Sequence, residues 1–470
     1  MLKDRIKSLS KEYKEEVIAT RRHLHANPEL SFKEFKTAVF VEEKLRQIGI
    51  TEIESKATTG WSALIKGKNP DKKVIALRAD MDALPIVEAN DVPYRSQNPG
   101  VMHACGHDAH TASLLGAAKI LHEIKDQFEG TIKLIFQPGE ELVPGGASLM
   151  IKDKVLENPR PNSIIGQHVM PMIPAGKVGF RPGLYMASTD EIYITVKGKG
   201  GHGAMPETFI DPVLIASHMI VALQQIVSRV ANPKIPSVLS FGRVEALGAT
   251  NVIPNEVKIQ GTFRTLDEAW RAKAHEKMLQ IAHGIVEGMG GQLDFEIRKG
   301  YPFLKNEPEL TARSMEAARE YLGEENVLDL DIWMAAEDFA FYSQEIDGCF
   351  YRLGTRNEAK GIVSGVHTPT FDIEEDALEI LSIQLSNQKF LSSNIFQGFT
   401  ELPDGATVAY QYYSDNRHES DSDDARLKRQ TAFILVSTAL PDAYLEQAYE
   451  DSLTSPGIQH NTTHPVAFHK

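Results

Sequence analysis

Apolar residues near the start of the chain recur at helix-like intervals, which predicts a helical opening segment. Within it, Ser31-Phe-Lys-Glu34 has the spacing of a capping box, and the helical pattern then runs to about Ile48. Two short apolar runs follow, Lys73–Leu77 and Thr131–Phe136. The first ends in Arg-Ala-Asp-Met-Asp and the second in Gln-Pro-Gly-Glu-Glu, while 109–124 between them reads as a helix. Strand, helix, strand is an α/β unit, and such sheets bind ligands beyond the carboxyl ends of their strands. Asp80 and Asp82 fall at one such end, and Glu140 and Glu141 at another. The pattern therefore points to one site.

From about Leu184 the texture changes. Glu191–Val196 alternates like a half-buried strand, Asp211–Arg229 is a long helical stretch, and 238–243 and 255–264 are strand-like before a second helix from about Asp267 to Met289. Two strand pairs with two helices suggest an α+β unit inserted in the chain. The α/β character resumes near Leu293. The expected division is 1–184 and 293–385 for the α/β domain, 185–292 for the insert, and 386–470 for a tail.

The 470 residues fit two or three domains, and 42% hydrophobic with 24% charged residues is ordinary globular composition. A net charge of −14 without a basic stripe speaks against a nucleic-acid partner. The first residues carry charge from Lys3 onward with no apolar signal core, and no run approaches roughly 18 apolar residues, so no membrane partner and a cytoplasmic location are expected. Cys105 and Cys349 alone build no disulfide framework.

The chemistry concentrates in Met102-His-Ala-Cys-Gly-His-Asp-Ala-His110, which holds three imidazoles, a thiol and a carboxylate just before a helix. Cys105 and His107 sit on a tight loop where their side chains can converge, and Cys, His and Glu are the usual ligands of zinc-like ions. Glu140 and Glu141 are adjacent, so their side chains point in different directions. One can bind metal while the other faces a water and serves as base and acid. His168 ends another apolar run, and His367 lies in a Gly-rich loop before a helix. Spacing alone does not recruit either.

These residues resemble the amidohydrolase branch of the dinuclear metal peptidases, which includes hippurate hydrolase, N-acyl-amino-acid deacylases and auxin-conjugate hydrolases. The matching pieces are Arg22-His-Leu-His-Ala-Asn-Pro-Glu29, Leu77-Arg-Ala-Asp-Met-Asp-Ala-Leu84, Met102–Asp108, Gln137-Pro-Gly-Glu-Glu141, Gly200-Gly-His-Gly-Ala204, Asn251-Val-Ile-Pro254, Gly261-Thr-Phe-Arg-Thr265, Ala336-Glu-Asp-Phe339 and Val366-His-Thr-Pro369. They stand in family order across about residues 10–380. The resemblance implies a catalytic α/β domain, with a mixed sheet flanked by helices, interrupted by a smaller α+β lid through which the protein forms a homodimer. It implies an enzyme that cleaves N-acyl amino acids through a hydroxide held between two divalent ions, manganese or zinc. Cys105, His107, Glu141, His168 and His367 would be the metal ligands, and Glu140 the general base and acid. His202 would donate to the oxyanion across the subunit interface, Asn251 and Arg264 would hold the substrate carboxylate, and Asp82 and Asp108 would orient ligands. Gly139 stands where the family has alanine; glycine can take the same conformation, so little effect is expected.

Past about Ile380 the family pattern stops, where a relative would continue into a compact apolar closing helix. Asp415–Asp424 is strongly polar and reads as solvated linker, 433–439 and 443–449 read as short elements, and His460, His464 and His469 read as exposed. Two other activities fit the residues: a dipeptidase or aminopeptidase on the same scaffold, and a non-catalytic binding protein. Glu140 beside the expected ligands speaks against the binder, which has no use for a base there.

Overall fold

Two seven-residue strands, Val74–Asp80 and Thr131–Gln137, are buried along their whole length, which is why they read as unbroken apolar runs. Successive side chains alternate between the faces of the sheet. Ile75, Leu77 and Ala79 enter one core, while Ala76 enters another with Ile135 and Ile164. These strands pair in parallel in an eight-stranded mixed sheet, whose order is Ile53–Lys56, Gly60–Lys66, Thr131–Gln137, Val74–Asp80, Ser163–Pro174, Asp347–Arg356, Val178–Phe180, Val327–Asp329. The computed structural model describes residues 2–379 together with strands Gly398–Glu401, Thr407–Ser414 and Gln430–Val436.

Helices α1 (Leu2–Ala26), α2 (Phe35–Ile48) and α3 (His107–Glu123) cover one face, with Leu9, Val41, Leu45, Leu114 and Leu121 fully buried in its core. Each such side chain contributes roughly 1.5–3 kcal/mol by leaving water. The opening helical segment is thus two helices, and the expected capping box does not form. Glu34 makes no side-chain cap, and Ser31 Oγ donates instead to Asp82 Oδ2 at 2.6 Å. Helix α4 (Gly146–Lys152) packs with Phe339, Ala340 and Tyr342 on the other face.

The inserted unit is a four-stranded antiparallel sheet, in the order Ser237–Glu245, Glu256–Thr265, Asp190–Lys197, Gln292–Lys299. Helices α5 (Pro212–Leu223) and α6 (Glu268–Gly288) bury Ile215, Met219, Leu223, Ala274 and Met278 against it. The expected boundary at 293 falls too early. Gln292–Lys299 alternates exposed and half-buried positions and pairs with Asp190–Lys197 as an edge strand, so the insert extends to about residue 299. Pro212–Val230, 19 residues with a mean hydropathy of 1.5, is the one described helix stretch with the length and apolarity of a membrane span. That corrects the expectation that no run comes close. Its apolarity has two sources: Ile215, Met219 and Ile226 fill the core, while Leu214 and Val221 are exposed.

The C-terminal strands form their own three-stranded antiparallel sheet. Gln430–Val436 overlaps the element expected at 433–439. The expected linker at 415–424, the element at 443–449 and the three C-terminal histidines lie outside the described residues.

Candidate metal centre

Two strand ends, the middle of a third strand and two loops bring the site together. Val74–Asp80 leads directly to Asp82, Thr131–Gln137 leads to Glu140 and Glu141, and Ser163–Pro174 carries His168. Cys105 precedes α3, which starts at His107 after Gly106 in a left-handed conformation (φ 89°). A side chain at Gly106 would place its Cβ 2.5 Å from Val169 Cγ2, so the loop closes on the sheet only with glycine there. His367 arrives from a late loop in the left-handed region (φ 61°), uncommon for a residue with a side chain, with its N–H bonded to Ala104 O.

Cys105 Sγ lies 3.2 Å from His168 Nε2 and 3.3 Å from His367 Nε2, and His367 Nε2 lies 3.0 Å from Glu141 Oε1. The donor atoms of Cys105, His107 and His168 lie within 4.8 Å of one another, as do those of Cys105, Glu141 and His367, and those of His107, Glu140 and Glu141. Five potential ligands and one further carboxylate thus share one pocket.

The surrounding bonds aim the ligand atoms. His107 Nδ1 is 3.1 Å from Asp82 Oδ1, and its Nε2 is buried without a hydrogen-bond partner. His168 Nδ1 donates to Val169 O at 2.7 Å, which leaves Nε2 free to present a lone pair toward Cys105. A histidine held through one ring nitrogen while the other faces the site is the usual arrangement of a metal ligand. Asp82 also accepts from the backbone N–H groups of Glu140 (3.1 Å) and Glu141 (3.0 Å), so one buried carboxylate fixes an imidazole and the acidic pair together.

Electrostatics make the same demand. Burial, reinforced by Glu141 and Glu140, pushes the Cys105 thiol well above its usual range. Burial would lower His107, but Asp80, Asp82 and Glu141 outweigh it and lift it to about 10. The pocket therefore calls for positive charge, and a divalent cation supplies it while stabilising the thiolate. The orphaned Nε2 and the thiolate, imidazole and carboxylate donor set fit zinc-like ions. Glu140 is buried and has Glu337, Glu141, Asp338 and Asp82 nearby, and burial followed by these charges pushes its carboxyl well above the ordinary range.

The model of peptidase family M20/M25/M40 matches residues 76–383. The chain belongs to this family. The M20 chain is 47% identical over 301 residues to an N-acyl-L-amino acid amidohydrolase of Geobacillus stearothermophilus, covering 64% of this chain and 80% of the relative. It is 39% identical over 398 residues to thermostable carboxypeptidase 2 of Saccharolobus solfataricus, covering 82% and 100%. The solved structure of the Bacillus subtilis YXEP protein, described as a dinuclear metal-binding peptidase of the M20 family, superposes with a TM-score of 0.68 at 34% identity, covering 80% of this chain and 98% of that one. The M20 chain is thus a metal-dependent hydrolase of carbon–nitrogen bonds.

The remaining expected residues of this M20 enzyme lie elsewhere. Asp108 is fully buried but binds no clustered side chain. It accepts from Arg21 Nε (2.8 Å) and pairs with His25 Nδ1 (2.7 Å), tying the first turn of α3 to α1 instead of orienting a ligand. His202 and Asn251 line a cleft of about 810 Å³ on the inserted unit, which none of the five clustered donors lines. His202 is exposed and accepts from Ala204 N–H through Nδ1. Arg264 is half-buried and donates to Met334 O at 3.2 Å.

Gly139 also departs from expectation. It adopts φ 57°, and a Cβ there would sit 2.3 Å from the Phe32 ring, so alanine would not be a neutral exchange in this chain. Two groups of consequence escaped the motif reading. Glu34 accepts from Gly139 N–H (2.8 Å) and braces the loop that carries the glutamate pair. Arg78, fully buried, bonds Asp80, Glu337 and Asp338 behind Glu140. A buried arginine among carboxylates leaves no periodic mark in a sequence, although Leu77-Arg-Ala-Asp and Ala336-Glu-Asp each contain one half of the network.

Proposed function

We propose that this enzyme hydrolyses the amide bond of N-acyl amino acids with two divalent ions, zinc or manganese, held by Cys105, His107, Glu141, His168 and His367. The observation that carries this reading is the convergence of those five donors beside Glu140, with Asp82 bonded to both halves of the cluster. When bound, the ions polarise the amide carbonyl and acidify the attacking water. Glu140 takes the proton from that water and later delivers it to the departing nitrogen. Burial and the neighbouring carboxylates favour its protonated form, which suits the second task.

The two relatives support a substrate that ends in a free amino-acid carboxylate, since an N-acyl amino acid and a peptide cut by a carboxypeptidase both present one beside the scissile amide. In this reading Asn251 and Arg264 receive that carboxylate, and an arginine fork suits it. His202 stands apart from the donors in the single chain and is exposed, which favours its service to a second copy's centre. A homodimer through the inserted unit would also cover Leu247 and Val221, which are 84% and 73% exposed; the particle mass in solution checks it.

The deciding experiment strips the full-length protein with chelator, restores zinc or manganese, and measures amino-acid release from N-acyl amino acids and dipeptides. Metal-restored release that vanishes in Glu140→Gln is expected. Metal binding without cleavage of any N-acyl amino acid would overturn the substrate reading, and preference for dipeptides would replace it with the peptidase reading.

A further inference from the structure

The chain crosses between the eight-stranded sheet and the inserted unit twice, and the two crossings lie side by side. Thr189 N–H donates to Tyr301 O and Gly300 N–H to Thr189 O, both at 3.0 Å. Arg271, rooted in α6 of the inserted unit and fully buried, donates from Nη2 to Thr189 O (2.8 Å) and Gly300 O (3.2 Å). The insert's own helix thus grips both crossings. Directly after them comes Tyr301, 6% exposed, whose hydroxyl donates to the backbone carbonyl of Glu140 at 2.5 Å. Its ring is held edge-on by Phe341 at 5.9 Å. Gly145, on the same loop as Glu140, leaves room for that ring, because a Cβ there would lie 2.8 Å from Tyr301 Cε1.

One residue therefore has its backbone in the paired crossings and its side chain on the loop that carries the proposed base. We infer that Tyr301 is a positioning residue that links the attitude of the inserted unit to the placement of Glu140, through its bond to the Glu140 carbonyl. This rests on Glu140 being the general base. Burial and the carboxylates of Asp338, Glu140 and Asp82 hold the phenol well above its usual range, so it stays a donor. A hinge rotation that displaced Tyr301 would pull on or release the Glu140 carbonyl, and misplacing a reacting group by about 1 Å costs on the order of 100-fold in rate.

The test uses the metal-loaded full-length enzyme and an N-acyl amino acid that it cleaves. Tyr301→Phe removes the bond and keeps the ring. The expected result is a fall in kcat of about 10- to 100-fold with KM within about two-fold, and with metal content and melting temperature retained. Gly300→Ala probes the hinge, because its Cβ would meet Thr189 O at 2.6 Å and force the crossings apart. It should lower kcat alone and add little on top of Tyr301→Phe, since both act through one bond. An unchanged kcat in Tyr301→Phe overturns the inference. A fall accompanied by loss of metal or fold does so too, because the phenol would then be a structural strut. If Gly300→Ala is silent alone, or adds its full effect in the double variant, the hinge link fails. Glu140→Gln separates the two readings: full activity there removes the base assignment, whereas an inactive Glu140→Gln beside an active Tyr301→Phe removes only the link.

Discussion

Gly139→Ala is a one-methyl change with two separable costs. At φ 57° a residue with a Cβ pays roughly 1–2 kcal/mol for the left-handed conformation. The same Cβ would lie 2.3 Å from Phe32 Cε1 and 2.5 Å from Cζ, so ring or loop must move, an overpacking that typically costs about 1–3 kcal/mol. Phe32 is only partly buried and can yield somewhat, while its N–H is tied to Glu34 Oε1 at 2.9 Å. The expected total is about 2–5 kcal/mol, toward the lower end as Phe32 yields. The residue after Gly139 carries the proposed base, so kcat should fall by at least about ten-fold as the loop shifts. Urea unfolding of the metal-loaded protein, followed together with amino-acid release, measures both. Phe32→Ala in the same chain should recover the steric part and leave roughly 1–2 kcal/mol from the backbone. A Gly139→Ala protein within about 0.5 kcal/mol of the parent and fully active would refute the reasoning.

Two further variants probe the surroundings of the cluster. Asp82→Asn replaces a carboxylate that accepts from His107, Ser31 and two backbone N–H groups with an amide that offers one acceptor; metal affinity, followed by competition with a chelator, should weaken about 10- to 100-fold. His25 is raised: burial and Arg21 lower it, but Asp108 and Glu88 outweigh them. The folded protein therefore holds a proton there that the unfolded chain releases near pH 6.5, so this contribution is fully present below that pH and is lost as pH rises through the folded value. His25→Gln should flatten the decline in stability with pH over that window; an unchanged slope would show that the imidazole does not titrate with folding.

How much of this was legible beforehand depends on how locally each feature is encoded. The strands ending at Asp80 and Gln137 announce themselves because both faces are buried, and buried strands are apolar throughout. Cys105 and His107 are two residues apart, so the turn that joins them is visible in the sequence itself. His168 and His367 are not, because they meet Cys105 only through sheet pairing and a left-handed loop that no spacing records. Ser31 and Glu34 show the opposite error: the spacing of a cap is present, but a buried aspartate and a glycine N–H compete for the same side chains and win. The expected division at 293 cuts through the strand Gln292–Lys299, because an alternating edge strand looks alike whichever sheet it joins. Tyr301 has no signature at all, since a tyrosine after a glycine becomes meaningful only when Glu140 is found beneath its hydroxyl.

The adjacency of the two crossings also bears on how such a chain can be rebuilt. Thr189 and Gly300 are more than a hundred residues apart in sequence yet one hydrogen bond apart in space, and all five clustered donors fall outside the stretch between them. An excision from 190 to 299 therefore needs no spanning linker, and a foreign module whose ends lie equally close could be grafted at the same junction. The cut would remove Arg271 and its hold on both crossings, along with His202, Asn251 and Arg264. The part that carries the five clustered donors and the inserted unit can in this way be exchanged as separate pieces.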